Sequence, residues 1–229
     1  MAVTAASPER TGDERRRRAL RLLHRELDAC TACPKMIRPV VHGAAVPSRV
    51  ILVGQAPGPR EGTFGKPFTW TAGKTMFGWF ERELGIDEER FRASVYIAAV
   101  ARCFPGKASG GGDRKPDPGE IARCETWLAR EVAILEPELV IAVGTLAIER
   151  VTGMKAPLAN IVGTTLQARW HGRDVDVIPL PHPSGASPWH RIEPGKALLG
   201  RALRLLARHP VMAGVMSGAA SGVRGAGSG

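Results

Sequence analysis

Uninterrupted apolar runs alternate along the chain with segments of helical spacing. Val50-Ile51-Leu52-Val53, Val95-Tyr96-Ile97-Ala98-Ala99-Val100-Ala101 and Leu139-Val140-Ile141-Ala142-Val143-Gly144 are short and without polar alternation. Such runs read as strands buried on both faces. Two further strands are expected at Thr164 to Trp170 and Val175 to Leu180, around a turn at His171-Gly172-Arg173. Helical patterns cover Arg15–Asp28, with Leu20, Leu22, Leu23 and Leu27 as a partial stripe, and Gly73–Leu84, with Phe77, Phe80 and Leu84 on one face. A third helix starts at Asp117-Pro118, proline suiting a first helical position, and runs through Cys124, Trp127 and Leu128 to Leu135. Thr145–Val151 is a short helix, and Pro194–Arg208 is a longer one with a leucine-rich face. Strands alternating with helices predict an α/β protein, a three-layer α/β/α sandwich on a mostly parallel sheet of four to five strands. The expected organisation is a disordered basic tail over 1–18, one domain over 19–209 and a disordered Gly/Ser/Ala-rich tail over 210–229.

The first apolar run opens into a loop of marked composition, Gly54-Gln55-Ala56-Pro57-Gly58, continuing to Gly65-Lys66-Pro67-Phe68-Thr69-Trp70-Thr71-Ala72-Gly73. A strand that ends in a Gly/Pro loop before a helix is where α/β proteins place ligands, at the carboxyl edge of the sheet. A second loop, Phe104 to Glu120, holds three consecutive glycines and mixed charge and reads as flexible. A third follows the last strand as Pro181-His182-Pro183-Ser184-Gly185.

Net charge is +10 over 229 residues, which favours an anionic partner such as nucleic acid. The run Arg15-Arg16-Arg17-Arg18 reads as a solvated helix face or as a phosphate contact. No run approaches the ~20 apolar residues of a spanning helix. The N-terminal residues lack an apolar signal core, so a cytoplasmic, nucleoid-associated protein is expected.

Four cysteines are placed as a close pair, Cys30-x-x-Cys33, then two distant singles, Cys103 and Cys124. The pair alone is open among zinc, an iron–sulfur cluster and a redox dithiol. A zinc ribbon would show two close pairs; dispersed thiolates fit a [4Fe–4S] cluster. Four unrelated buried cysteines remain the alternative.

With these residues in hand, the chain resembles the uracil-DNA glycosylase superfamily, and within it the iron–sulfur branch of family 4 and its family 5 relatives. The family 4 motif GEAPG…GxPFVGxAG is matched by the loop from Gly54 to Gly73. The second motif is matched by His182-Pro183-Ser184, and the cysteine pattern by Cys30, Cys33, Cys103 and Cys124. The resemblance implies base-excision repair, with hydrolysis of the N-glycosidic bond of uracil or a related deaminated base in DNA. It implies His182 and Gln55 as catalytic residues. Gly54, Ala56, Pro57, Gly58, Phe68 and Ala99 would surround the flipped base, with Phe68 stacking on it. Ser184, Gly185, Trp189 and Arg191 would contact DNA, Trp189 as the wedge in the minor groove. The four cysteines would hold a structural [4Fe–4S] cluster, and the protein would act as a monomer.

Two positions depart from the family pattern. Ala99 stands where family 4 has an asparagine that reads the uracil edge, and Gln55 replaces a glutamate. Thr71 also lacks the carboxylate that family 5 has nearby, leaving Glu61 and Asp113 as substitutes. The alternative function is a weak or inactive binder of DNA lesions or abasic sites on the same fold.

Overall fold

Five strands form a sheet: β1 (Val50–Gly54), β2 (Tyr96–Ala99), β3 (Leu139–Val143), β4 (Leu166–Trp170) and β5 (Arg173–Leu180). Their order is β2-β1-β3-β5-β4. The protein is described from a computed structural model covering residues 8–185 and 187–222. The helices are α1 (Pro8–Asp28), α2 (Glu61–Phe64), α3 (Thr71–Leu84), α4 (Glu88–Ser94), α5 (Pro118–Leu135), α6 (Thr145–Thr152), α7 (Leu158–Ile161), α8 (Gly195–Arg208) and α9 (Pro210–Gly222).

β1, β2, β3 and β5 are parallel, and β4 closes the edge antiparallel to β5. The turn between β4 and β5 is His171-Gly172, both at positive φ (45° and 80°). Two-residue hairpins need that conformation to follow strand twist. Successive strand residues face opposite layers, as the two-residue period requires. Val50, Leu52, Leu139, Ile141 and Ile178 pack with Phe77, Phe80, Phe91 and Leu203 from α3, α4 and α8. Ile51, Val53, Val140, Ala142 and Val177 pack with Leu20, Leu128, Val132 and Ile148 from α1, α5 and α6. The three-layer α/β/α arrangement expected from the sequence is thus present.

Both tail assignments need correction where the structure describes them. Residues 8–18 belong to α1, not to a disordered tail. Pro8 opens the helix, and Arg16 is ion-paired at 3.1 Å to Glu136, at the far end of α5. That pair fixes this arginine at the amino edge of the sheet, away from the ligand loops. Leu22 is 46% exposed and leaves the apolar stripe to Leu20, Leu23 and Leu27. At the other terminus α9 is ordered by packing, since Met212 is fully buried and Val211, Val215 and Met216 lie against the same core. The remaining tail residues, 1–7 and 223–229, lie outside the described residues. Among the described residues no helix is long and apolar enough to cross a membrane.

Parallel strands deliver their following loops to one edge. Gly54 pairs with Ala99, and Val143 with Leu180. The pairing continues past the strands: Val100 N–H donates to the Gly54 carbonyl (2.9 Å), and Ala101 N–H to that of Gln55 (3.0 Å). The loops after β1, β2, β3 and β5 therefore start from one rigid frame.

Candidate active site

These loops enclose a cleft of about 530 Å³, lined by Gly54 to Glu61, Phe68, Trp70, Ala99, Asp113, Gly144, Thr145, His182 and Ser184 among others. The inner wall is Phe68. Its ring lies over the end of β1, so close that a Cβ on Gly54 would sit 2.7 Å from the ring carbon Cζ. Its backbone is held in the left-handed region (φ 56°), a costly conformation for a residue with a bulky side chain. Three contacts impose it. Arg92 donates to the Phe68 carbonyl at 2.9 Å. Gly73 runs so close to that carbonyl that any side chain there would overlap it. The Glu61 carboxylate accepts from the backbone N–H groups of Phe68, Thr69 and Gly58, the last at 2.7 Å. Burial pushes the Glu61 carboxyl pKa up, and these N–H bonds and Arg92 pull it back. Glu61 is thus a buried bracket that joins the two halves of the loop, and it is not available as a base.

His182 enters from the opposite side, on the loop after β5. Its side chain packs against Gly144 at the start of α6, whose φ of 87° favours glycine and where a Cβ would stand 3.4 Å from the ring. The Ser184 backbone N–H donates to His182 Nδ1 at 3.3 Å. Nδ1 is therefore an acceptor, and the proton of a neutral ring is on Nε2. Burial lowers the His182 pKa below its ordinary 6.5; Asp113 acts in the raising direction and His190 in the lowering one. A neutral imidazole that donates from Nε2 can stabilise negative charge developing on a bound ring.

Asp113 reaches this cleft because the loop after β2 is folded, not flexible as its glycines suggested. Lys107 and Asp113 form an isolated bridge and an ion pair at 2.7 Å. Arg114 N–H donates to the Gly106 carbonyl, and the Arg114 side chain forks onto Glu120 at 2.7 and 2.6 Å. Glu120 in turn completes a capping box with Asp117 at the start of α5. The free oxygen of Asp113, Oδ2, stands over Gly58. Of the two substitute carboxylates named from the sequence, Asp113 is the one that faces His182.

The loop after His182 departs from the expected DNA-contacting roles. Trp189 lies in a 3-10 turn (Trp189–Arg191), and its ring is seated against Gly195 at the start of α8. It packs onto a helix and does not stand free as a wedge. Arg191 donates to the Gly185 carbonyl at 3.2 Å, tying the loop to itself. His190 is buried edge-on to Trp79 at 5.2 Å. Ile192 is the large apolar side chain exposed in this segment, by 56%. Ala99 lies on the cleft wall, where the β2 alignment placed it, and offers no side-chain hydrogen bond.

Three of the four cysteines pack together beside the same loop, with Cys30 near them. Cys33, Cys103 and Cys124 pack with Met36, Ala101 and Ala56. Burial pushes the Cys103 thiol up to about 11, and the neighbouring Cys124, Cys30 and Cys33 add in the same direction. The Arg123 side chain donates to Cys33 Sγ at 3.4 Å. All four donors are thiols, a soft set that suits iron and zinc. Among the described residues no three His, Cys, Asp or Glu side chains are close enough as they stand to hold one metal ion. Behind them lies a buried polar chain. Arg102 pairs with Glu131, which accepts from the Tyr96 hydroxyl at 2.7 Å. Since that hydroxyl proton is spent, His24 Nε2 donates to the Tyr96 oxygen (2.9 Å). Burial, then His42 and Arg102, depress the His24 pKa to about 3.

The fold and the site define an α/β protein with a cleft at the carboxyl edge of its sheet, walled by Phe68 and His182, and a thiol set beside it. The comparisons agree. The profile of the uracil DNA glycosylase superfamily matches residues 40–206. A type-4 uracil-DNA glycosylase of Thermotoga maritima is 31% identical over 173 residues, 74% of this chain and 83% of that protein. One of Pyrobaculum aerophilum is 30% identical over 172 residues, covering 72% and 83%. A type-5 uracil-DNA glycosylase of the same organism is 26% identical over 176 residues, covering 64% and 72%. The chain belongs to the uracil-DNA glycosylase superfamily.

Proposed function

We propose that this protein is a monofunctional DNA glycosylase. It hydrolyses the N-glycosidic bond of uracil, or of a related deaminated base, and leaves an abasic site. The observation that carries the reading is the His182 ring, neutral, with Nε2–H as its donor, opposite Phe68 across one cleft. A base inside duplex DNA must leave the stack to be reached. Once in the cleft it stacks on Phe68. As the C1′–N1 bond breaks, its electron pair goes to the base, and the anion is stabilised at O2 by His182 Nε2–H and by backbone N–H groups of Gln55 and Ala56. Asp113 orients the water that bonds to C1′ and takes its proton; the departing base is later protonated by solvent. Gln55, lacking a carboxylate, orients water or the base edge. Ser184 and Gly185 contact phosphate, and Ile192 takes the wedge role first given to Trp189. The chain acts as a monomer, on DNA of the cytoplasmic nucleoid.

Cys30, Cys33, Cys103 and Cys124 are the ligands we assign to a [4Fe–4S] cluster. When bound it supplies structure, not chemistry, by stapling the end of α1 and the segment 103–124 beside Ala56. Iron and acid-labile sulfide, counted per chain in anaerobically purified protein, test this; zinc in their place refutes it.

The activity is tested with oligonucleotides carrying uracil, hypoxanthine or xanthine, as single strands and duplexes, followed by alkali. Strand cleavage on at least one, lost in His182→Ala, is expected; no cleavage on any refutes excision. Ala99 and Gln55 favour a second reading, a lesion or abasic-site binder, which tight abasic-DNA binding without base release would support.

A further inference from the structure

At the mouth of the cleft, two large aromatic rings are turned into solvent. Trp70, the residue before α3, lies nearly parallel to Phe64 at the end of α2, with centroids 6.1 Å and planes 20° apart. The Arg60 guanidinium covers the Trp70 ring at 4.5 Å from its centroid. Phe64 is 49% exposed and Trp70 is 41% exposed. Adjacent exposed rings forgo the free energy that their burial would return, so a patch of this kind marks a binding surface.

Two further observations say what it binds. The ledge is continuous with the cleft: Trp70 lines it and follows Phe68, the inner wall, by two residues on one short loop. That loop is held by Glu61, Arg92 and Gly73, so the spacing of inner and outer rings is fixed. Along the segment that carries the ledge the exposed charge is of one sign. Between residues 60 and 74 the charged side chains are Arg60, Glu61, Lys66 and Lys74. Glu61 is buried against backbone amides, whereas the three cations are exposed. Outward π faces interleaved with cations are the chemistry that receives unpaired nucleic acid, rings taking bases and cations taking phosphates.

We propose that Phe64, Trp70 and Arg60 form an outer stacking ledge for the unpaired base next to the one in the cleft, so that the protein prefers single-stranded or locally opened DNA. The proposal rests on reading the cleft as a base pocket. Its test is kept separate by using uracil-free DNA. A single-stranded oligonucleotide carrying 2-aminopurine is titrated with the full chain, and the fluorescence quench on stacking is followed beside the affinity for the matching duplex. Trp70→Gly and Phe64→Ser are expected to weaken single-strand binding roughly 5- to 100-fold, the range of one stacked base. Duplex affinity and melting temperature should change much less, and Trp70→Phe should keep most of the quench. Single-strand binding unchanged in Trp70→Gly and Phe64→Ser overturns the ledge. So does an equal loss on both forms of DNA, or the absence of any quench with the wild-type chain, which would leave the rings to a protein partner. Failure of base release, by contrast, would sink the excision reading and leave these binding results standing.

Discussion

Replacing His182 removes the donor on which the proposed chemistry turns. Its Nδ1 is engaged as an acceptor by the Ser184 N–H, so its single proton points from Nε2. Losing one preorganised donor to a developing anion costs about 3–4 kcal/mol, or roughly 10²- to 10³-fold in kcat. His182→Ala should lose that much, and His182→Gln, whose Nε2 reaches a similar place, should recover part. The same geometry fixes the pH dependence. Charging the ring puts a second proton on Nδ1, directly against the Ser184 N–H, and burial opposes the charge as well. Single-turnover release of uracil should therefore be flat above pH 6.5 and fall only at pH below it. Asp113 is the neighbour that favours the charged ring. Asp113→Asn should shift the acid limb to still lower pH while lowering the plateau through the loss of the oriented water. The assay is alkaline strand scission of a labelled uracil oligonucleotide under enzyme excess. A rate that climbs as pH falls through 6.5 would refute the neutral-donor argument, and a His182→Ala protein with the wild-type rate would refute the role itself.

Three other outcomes follow from packing and titration. His24 should by itself remove stability as pH falls from 6.5 toward 3, with a slope of up to about 1.4 kcal/mol per pH unit, since the unfolded residue takes a proton that the buried one refuses. His24→Gln, which keeps an N–H for Tyr96 but cannot titrate, should make the dependence of the denaturant midpoint on pH less steep over that window by that share. Gly73→Ala forces a Cβ into the Phe68 carbonyl and should cost about 1–3 kcal/mol in melting experiments, with base release reduced because the inner wall moves. Met212→Ala should cost about 2–5 kcal/mol, as for a buried methionine; an unchanged midpoint would mean that α9 adds nothing to the core.

The frame was legible because its signal is local. Runs such as Leu139–Val143 are short, apolar throughout and rich in β-branched residues, the pattern of a strand covered on both faces. Asp117-Pro118 announced α5 by its cap chemistry. The misread segments are those whose order comes from distant partners. Small residues in α9 suggested a tail, yet Val211, Met212, Val215 and Met216 already repeat at helical spacing, and only the core they meet was invisible. Likewise Pro8 suits a first helical position, a signal that the arginine run overshadowed. Within the site, Phe68, His182 and the thiols followed from motifs. The convergence of Asp113 and His182 on one cleft did not, because it joins loops from opposite sides of β1 and β3. Nor did the seating of Trp189 on Gly195, or the Phe64–Trp70 contact, since side-chain direction at a loop tip is decided by what packs beneath it.

The strand order also has a consequence for how the protein is made. Phe68 follows β1, Asp113 follows β2, and His182 follows β5, which is the last strand in the chain yet pairs inside the sheet next to β3. Contacts so distant in sequence close late. A chain still on the ribosome, with β5 not yet emerged, lacks both His182 and the β5 and α8 residues that share a core with Phe68, Phe77 and Phe80. In such a nascent or prematurely terminated chain the cleft has neither its second wall nor the core beneath its first, so the last third of the sequence is the step that completes the site.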